Sequence, residues 1–405
     1  MRKLLAATCL TPLSFALLPA VANAETVIST AITTPVLTST GNDDVRISST
    51  GSVKPAGGNA VTIDSNDSVK NEGLIQITGA NNSAGIVANP GLAGNITNSG
   101  TITIDESYTP TDTDNDGDID GAFAQGSGRF GIHVLSGGTF TGNILNSGNI
   151  TIEGNASAGI AVDSTLAGNI SLTGGTINVL GDNGVGLRTS AVNGNVNLTN
   201  GTIIAQGAGS VGVSLGGNIS GALVIQNSVT ASGYRYLTPP ADPSKLDADD
   251  LLQGGSAVVV AGNVAGGIVF DARPADNSTT DTDEDDDLIE DANEGTAAIF
   301  SYGAAPAVQI GTSSQAVTVG AVASSTAGHG LVIKGGIHGN GVYKGVSATG
   351  LSIGGAGQTV AIAVTKGNYR TAGTALCSKI GCDDYLICGR ILGNGYQSSV
   401  DLRRE

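Results

Sequence analysis

The sequence predicts an all-β fold: a right-handed parallel β-solenoid (β-helix) of about 26–27 residues per coil with acidic loop insertions. Three observations carry this expectation. A heptapeptide recurs along the chain, as NEGLIQI from residue 71, NSGTITI from 98, NSGNITI from 146, TGGTINV from 173 and TNGTIIA from 199. Apolar residues around it fall into columns that keep the same phase. The composition is 62 Gly in 405 residues with 3% aromatics and no Trp, so any core must be assembled from small aliphatic pieces repeated many times.

The repeat length comes from the third-position glycines. Gly73, Gly100, Gly148, Gly175 and Gly201 are 27, 48, 27 and 26 residues apart, the 48 being one coil plus an insertion of about 21. After each glycine, inward positions alternate as a strand requires: Ile75 and Ile77, Ile102 and Ile104, Ile150 and Ile152, Ile177 and Val179, Ile203 and Ala205. A second piece aligns Ile86, Ile132, Ile160, Leu187 and Val213, and a third aligns Ile96, Ile144, Ile170, Val196 and Leu223. Three in-phase aliphatic columns argue against disorder, the rival reading of this Gly-, Ser-, Thr- and Asn-rich chain. Corner glycines are expected at φ > 0. Asn71, Asn98 and Asn146, with Asn95, Asn143, Asn169 and Asn195, are expected at corners in left-handed geometry, bonding to the coil above.

Read in order, residues 1–24 (MRKLLAATCLTPLSFALLPAVANA) have the basic start, apolar run and Ala-Asn-Ala end of a secretory signal peptide. Residues 25–60 are polar and weakly patterned, and are expected as a loose N-terminal cap. The solenoid proper is expected over 61–370, with about nine or ten coils and a rod roughly 45 Å long at the strand spacing. Insertions near 105–128, 232–255 and 271–295 hold most of the acid and are expected to leave at corners, on the side of the rod. Residues 371–405 abandon the repeat and carry Cys377, Cys382 and Cys388, which reads as a native cap, a short disulfide knot or an out-of-frame tail.

The formal charge of −17 becomes −19 when Arg2 and Lys3 leave with the signal, a sign that argues against nucleic acid or anionic lipid as partner. No apolar run after the signal reaches the roughly 20 residues of a membrane helix. The sharpest local motif is Asp112, Asp114, Asp116, Asp118 and Asp120 around Gly117, the first half of a calcium loop. Phe123 stands at position twelve, where an EF-hand has its bidentate Glu. Asp281, Asp283, Asp285 and Asp287 form a weaker echo without the glycine. Calcium is therefore the one cofactor expected, and no other is.

Catalytic residues are not expected. His133 aligns with outward positions of the second piece and reads as a lone surface residue, while His329 and His338 have no nearby Cys or paired carboxylate. The outward ladder of Thr101 and Thr103 breaks at Asn149, Asn178 and Ile204, so an ice-ordering face is not expected either.

With these residues in view, the chain resembles the passenger region of autotransporter-type outer-membrane proteins. The signal peptide and the NSGTITI-type coils carry the resemblance, as do the stretches GNVAGGIVFDA, TDTDEDDD, EGTAAIFSYGAAPAVQIG and GHGLVIKGGIHGNGVYKGVSATGLSIGG. It covers roughly residues 1–368. The resemblance implies a non-enzymatic secreted or surface-displayed protein for adhesion or surface interaction, with a surface, a glycan or a protein as ligand. It also implies a C-terminal membrane barrel, whose alternating strands are not found after residue 370. Location is expected at the outer membrane if the parent gene carries that barrel, and in the periplasm or outside the cell otherwise. Two alternatives stay open: a polysaccharide-acting β-helix enzyme, and a calcium-dependent structural protein of the envelope.

Overall fold

Neighbouring coils stack so that equivalent residues pair directly. Ile75, Ile102, Ile150, Ile177 and Ile203 are successive Cα partners in parallel strands, 26 to 27 residues apart except where the first insertion intervenes. The computed structural model describes residues 25–115, 117–275, 277–278, 280–284, 289–354, 358–363, 390–392 and 397–401. The fold is a parallel β-solenoid, built on one 20-stranded and one 10-stranded sheet. Residues 1–24, expected from the sequence as a signal peptide, and the three tail cysteines lie outside the described residues.

One coil shows the pattern. Strand Ile144–Asn146 is the first leg, Asn149–Glu153 the second, Ala158–Val162 the third and Leu166–Ala167 a short fourth. The first two legs of all coils make the larger sheet, and the third legs make the other. The inward column of each leg is shut from water: Ile144, Ile150, Ile152, Ile160 and Leu166 are all 0% exposed. Each Ile removed from water contributes about 2 kcal/mol, and the short strands repeat this in every coil.

Three expectations change. First, the fourth leg was not expected: Phe140, Leu166, Val192, Ile219, Val264 and Val319 stack through isolated pairings and fill the fourth corner of the core. Second, residues 25–60 are not a loose cap. Glu25–Ile28 pairs with Asp44–Ile47, Ala31–Ile32 with Ser52–Val53, and Val36–Leu37 with Val61 and Thr62 of the next third leg, all in parallel. These early coils step by only 19 to 25 residues, as from Glu25 to Asp44 and from Val36 to Val61, because their corners are shorter. The ten third-leg strands run from Val36–Leu37 to Leu351–Ile353, so the ten coils begin near residue 25 rather than 60. Nine spacings give a rod of about 43 Å.

Third, the recurrent Asn bond between coils as expected, but without left-handed geometry, and only some of the recurrent Gly have positive φ. Gly73, Gly100 and Gly148 do not have positive φ, unlike Gly175 (φ 70°) and Gly201 (φ 87°). What they share is a close approach: a Cβ on Gly100 would lie 2.2 Å from the Gly73 carbonyl oxygen, and one on Gly148 would lie 2.0 Å from that of Gly100. None of the seven recurrent Asn has positive φ. Asn71 Nδ2 donates to Asn98 Oδ1 at 2.7 Å, and Asn98 Nδ2 donates to Asn146 Oδ1 at 2.7 Å, inside the core. Asn95, Asn143 and Asn169 instead accept, through Oδ1, the backbone N–H one coil on, at 2.8–2.9 Å.

Toward the C-terminal end, Arg390–Leu392 and Gln397–Asp401 pair antiparallel with each other, and the latter also with Gly336–Asn340. No helix among the described residues is long and apolar enough to cross a membrane.

Candidate functional site

The turn from second to third leg is four residues or so in the plain coils, as at 154–157 between Asn149–Glu153 and Ala158–Val162. The first insertion fills that same corner between Thr101–Asp105 and Arg129–Val134, and the second fills it between Ser228–Ser232 and Val258–Val260. The connection 341–350, between Gly336–Asn340 and Leu351–Ile353, uses it again. Sequence alone placed the insertions at corners but not on one corner. The third insertion leaves from a different one, between first leg Ile268–Phe270 and second leg Ala298–Tyr302.

Four coil spacings separate the roots of the first two insertions, about 19 Å along the rod. They lean toward each other and meet. Arg235 Nη2 donates to the Gly121 carbonyl at 2.9 Å, with its guanidinium 4.4 Å from the centre of the Phe123 ring. The Ile119 N–H donates to Tyr236 Oη at 3.0 Å, and the Gly121 N–H to Asp249 Oδ2 at 2.5 Å. Phe123, at the twelfth calcium-loop position, is thus a buried anchor for the second insertion. On the other side the second insertion holds the 341–350 connection. Tyr234 and Tyr343 pack edge to face at 4.7 Å, Tyr343 Oη donates to the Tyr236 carbonyl at 3.1 Å, and Tyr234 Oη donates to that of Gly341 at 3.3 Å. Burial first, then Asp250 nearby, pushes the Tyr343 phenol up to about 12. The three connections form one lateral ridge, with a cavity of about 200 Å³ between Asp118, Tyr236, Thr238, Leu246, Asp250 and Tyr343.

Three of the expected calcium ligands come together. Asp112, Asp114 and Asp120 each bring a carboxylate oxygen within 4.8 Å of the others. Asp118 faces the cavity instead, and Asp116 lies outside the described residues. Asp112 caps its own loop, its Oδ1 accepting from the Asn115 N–H at 2.6 Å and its Oδ2 from that of Gly117 at 3.1 Å. A second trio joins Asp120 to Asp247 and Asp249 of the other insertion, two residues that no sequence pattern singled out. The Thr113 hydroxyl and N–H, donating to Asp120 Oδ2, hold that carboxyl below its ordinary range. The neighbouring Asp249 carboxyl drives Asp247 up to about 6. In the third insertion, Asp281 and Asp283 belong to neither trio, and Asp285 and Asp287 lie outside the described residues.

His133 is not the lone surface residue expected. Its Nε2 donates to Asp163 Oδ2 at 2.8 Å, and Arg188 grips both Asp163 oxygens at 2.9 and 2.7 Å. Phe130 lies 4.2 Å from the imidazole centroid and beneath the Arg188 guanidinium. His133 and Arg188 are two coils apart in one outward column, and small Ala161 between them leaves Asp163 room to reach both. Burial holds His133 below its usual value, against the pull of Asp163. Both oxygens of the single carboxylate are engaged, so the cluster ties three coils together.

Comparison with protein-family models, with curated proteins and with solved structures finds no match to this chain. The functional reading therefore stands on the ridge and its chemistry.

Proposed function

We propose that the chain is a non-enzymatic, passenger-type β-solenoid of an autotransporter-like surface protein. The stiff rod holds one lateral ridge outward, and the ridge binds a surface glycan or protein by shape and hydrogen bonding. One observation carries this: three connections from the same corner of separate coils are tied together by Arg235, Tyr236 and Tyr343 into a continuous surface. Plain coils close that corner in about four residues, so the added length is not needed to complete the rod. The exposed Leu237 and Leu251, at 41% and 43%, lie on the second insertion and add apolar contact area to an otherwise acidic ridge.

The test is a chain in which 107–124 and 235–251 are each replaced by a short corner copied from residues 154–157, compared with the intact chain on a glycan array and on immobilised extracellular proteins. The expected result is unchanged β circular dichroism with loss of the binding shown by the intact chain. Equal binding by the two chains, or no binding by the intact chain, overturns the reading.

A further inference from the structure

The joint of the ridge brings carboxylates from two distant parts of the chain together, with Arg235 the basic residue beside them, bonded to the Gly121 carbonyl. We propose that it is a calcium clamp: a single hard divalent cation held between Asp120 of the first insertion and Asp247 and Asp249 of the second. The inference deepens the reading of the ridge as a binding surface and rests on it only for its consequence.

Geometry comes first. One carboxylate oxygen from each of Asp120, Asp247 and Asp249 lies within 4.8 Å of the other two. Oxygen ligands of calcium sit at about 2.3–2.6 Å from the ion, so two ligands on one ion are at most about 5 Å apart. The trio is already within that span.

The second observation is independent of the clustering. Asp120 is only 9% exposed. Its Oδ2 is filled by the Thr113 hydroxyl and N–H, while its Oδ1 is shut from solvent with no hydrogen-bond partner. A buried carboxylate oxygen facing nothing is unfavourable, and a cation at the trio supplies the missing partner. Arg235 lies close by but hydrogen-bonds the Gly121 carbonyl and covers the Phe123 ring, leaving Asp120 Oδ1 without a donor.

The donor set then selects the ion. Three carboxylates and no nitrogen or sulfur suit a hard cation. The ligands come from two irregular loops and leave several coordination positions to backbone carbonyls and water, which suits calcium better than the strict octahedron of magnesium. Asp247 and Asp249 stand in LDADD, where neither glycine nor spacing marks a calcium loop. The site is built between loops, not within one.

Its consequence is that calcium would add a further tie between the first insertion and the second, beside the Arg235 and Tyr236 hydrogen bonds that already join them.

The test is isothermal titration of the full chain with calcium chloride, repeated for Asp247→Asn and Asp249→Asn, with Asp43→Asn, just before strand Asp44–Ile47, as control. The expected result is saturable binding with a dissociation constant on the order of 10⁻⁴ M, in the range of extracellular calcium modules. Each ridge variant should weaken it about tenfold or more, with unchanged circular dichroism and no change in the control. Absence of calcium binding overturns the proposal. So does binding that both variants retain but Asp112→Asn and Asp114→Asn abolish, which would put the ion inside the first insertion alone. The failures are separable: calcium binding without ligand binding defeats only the display reading, and ligand binding by a chain that takes up no calcium defeats only the clamp.

Discussion

Glu106 Oε2 and Arg129 Nη1 meet at 2.8 Å across the neck of the first insertion, 23 residues apart in sequence. Both side chains are buried, at 8% and 1% exposure. Arg129 Nε also donates to the Ala80 carbonyl at 2.9 Å, and Glu106 accepts from the Gln125 and Gly126 N–H groups at 2.6 and 2.7 Å. The pair closes the loop onto the rod, so the ridge begins from a fixed base.

Removing one member of a buried pair strands the other, so Arg129→Met should cost about 3–5 kcal/mol in urea unfolding, with hydrogen-exchange protection lost first over 105–128. The double variant with Glu106→Gln should recover part of that loss. The pH dependence follows from Glu106. Burial pushes its carboxyl up, but the two N–H groups and then Arg129 outweigh this and hold it below the ordinary value. A depressed folded value means the stabilisation is full above the unfolded value near 4.5 and is lost as pH falls through the folded one. Acid should therefore release the first insertion, and Glu106→Gln should remove that pH dependence.

The glycine column makes a contrast of two alanines. Gly100→Ala drives a Cβ to 2.2 Å from a backbone oxygen that cannot rotate away, so the coils themselves must part. The expected cost is about 3 kcal/mol, the upper end for overpacking. Gly79→Ala meets open space and faces only its φ of 75°, for about 1 kcal/mol. Thermal melts of the two proteins check the order. Equal losses would mean that the coils absorb the added methyl group and that close contact is not what keeps glycine in the column.

The buried Asn ladder predicts non-additivity. Asn98→Leu leaves Asn146 Oδ1 without its donor and Asn71 Nδ2 without its shorter acceptor, at a cost of about 2 kcal/mol. Replacing Asn71, Asn98 and Asn146 together by Leu removes the stranded groups along with the bonds. The triple variant should then lose much less than three times the single loss in a denaturant titration.

How far the sequence showed all this depends on how many residues carry each feature. Legs one to three place several alternating residues in each coil, so the phase of Ile75, Ile86 and Ile96 is visible by inspection. The fourth leg has one core residue per coil, such as Val192 or Ile219, and one residue has no period within a coil. Residues 25–60 hid their coils because the step shortens to 19 residues between Glu25 and Asp44. Arg129 could have been flagged, since it is the only basic residue between Lys70 and Arg188 apart from His133, and an isolated cation beside an acidic loop invites a partner. Asp247 and Asp249 could not have been. Their relation to Asp120 exists only because two loops rooted about 19 Å apart lean together, and no local pattern encodes that approach.

The His133 cluster supports a titration with a definite sign. Burial, the largest influence, lowers the imidazole value, Asp163 raises it, and Arg188 lowers it. Asp163→Asn should therefore lower the value further, read from the imidazole resonances by NMR, and Arg188→Gln should raise it. For stability, the unfolded chain takes up the proton more readily than the folded one near 6.5, so folding weakens as pH falls through 6.5 toward the folded value. Asp163→Asn widens the gap and should steepen that acid loss, while His133→Gln should abolish it. An imidazole that titrated above 6.5 in the intact protein would show that the Asp163 contact dominates burial, and the stability slope would then reverse: folding would strengthen, not weaken, as the histidine gained its proton.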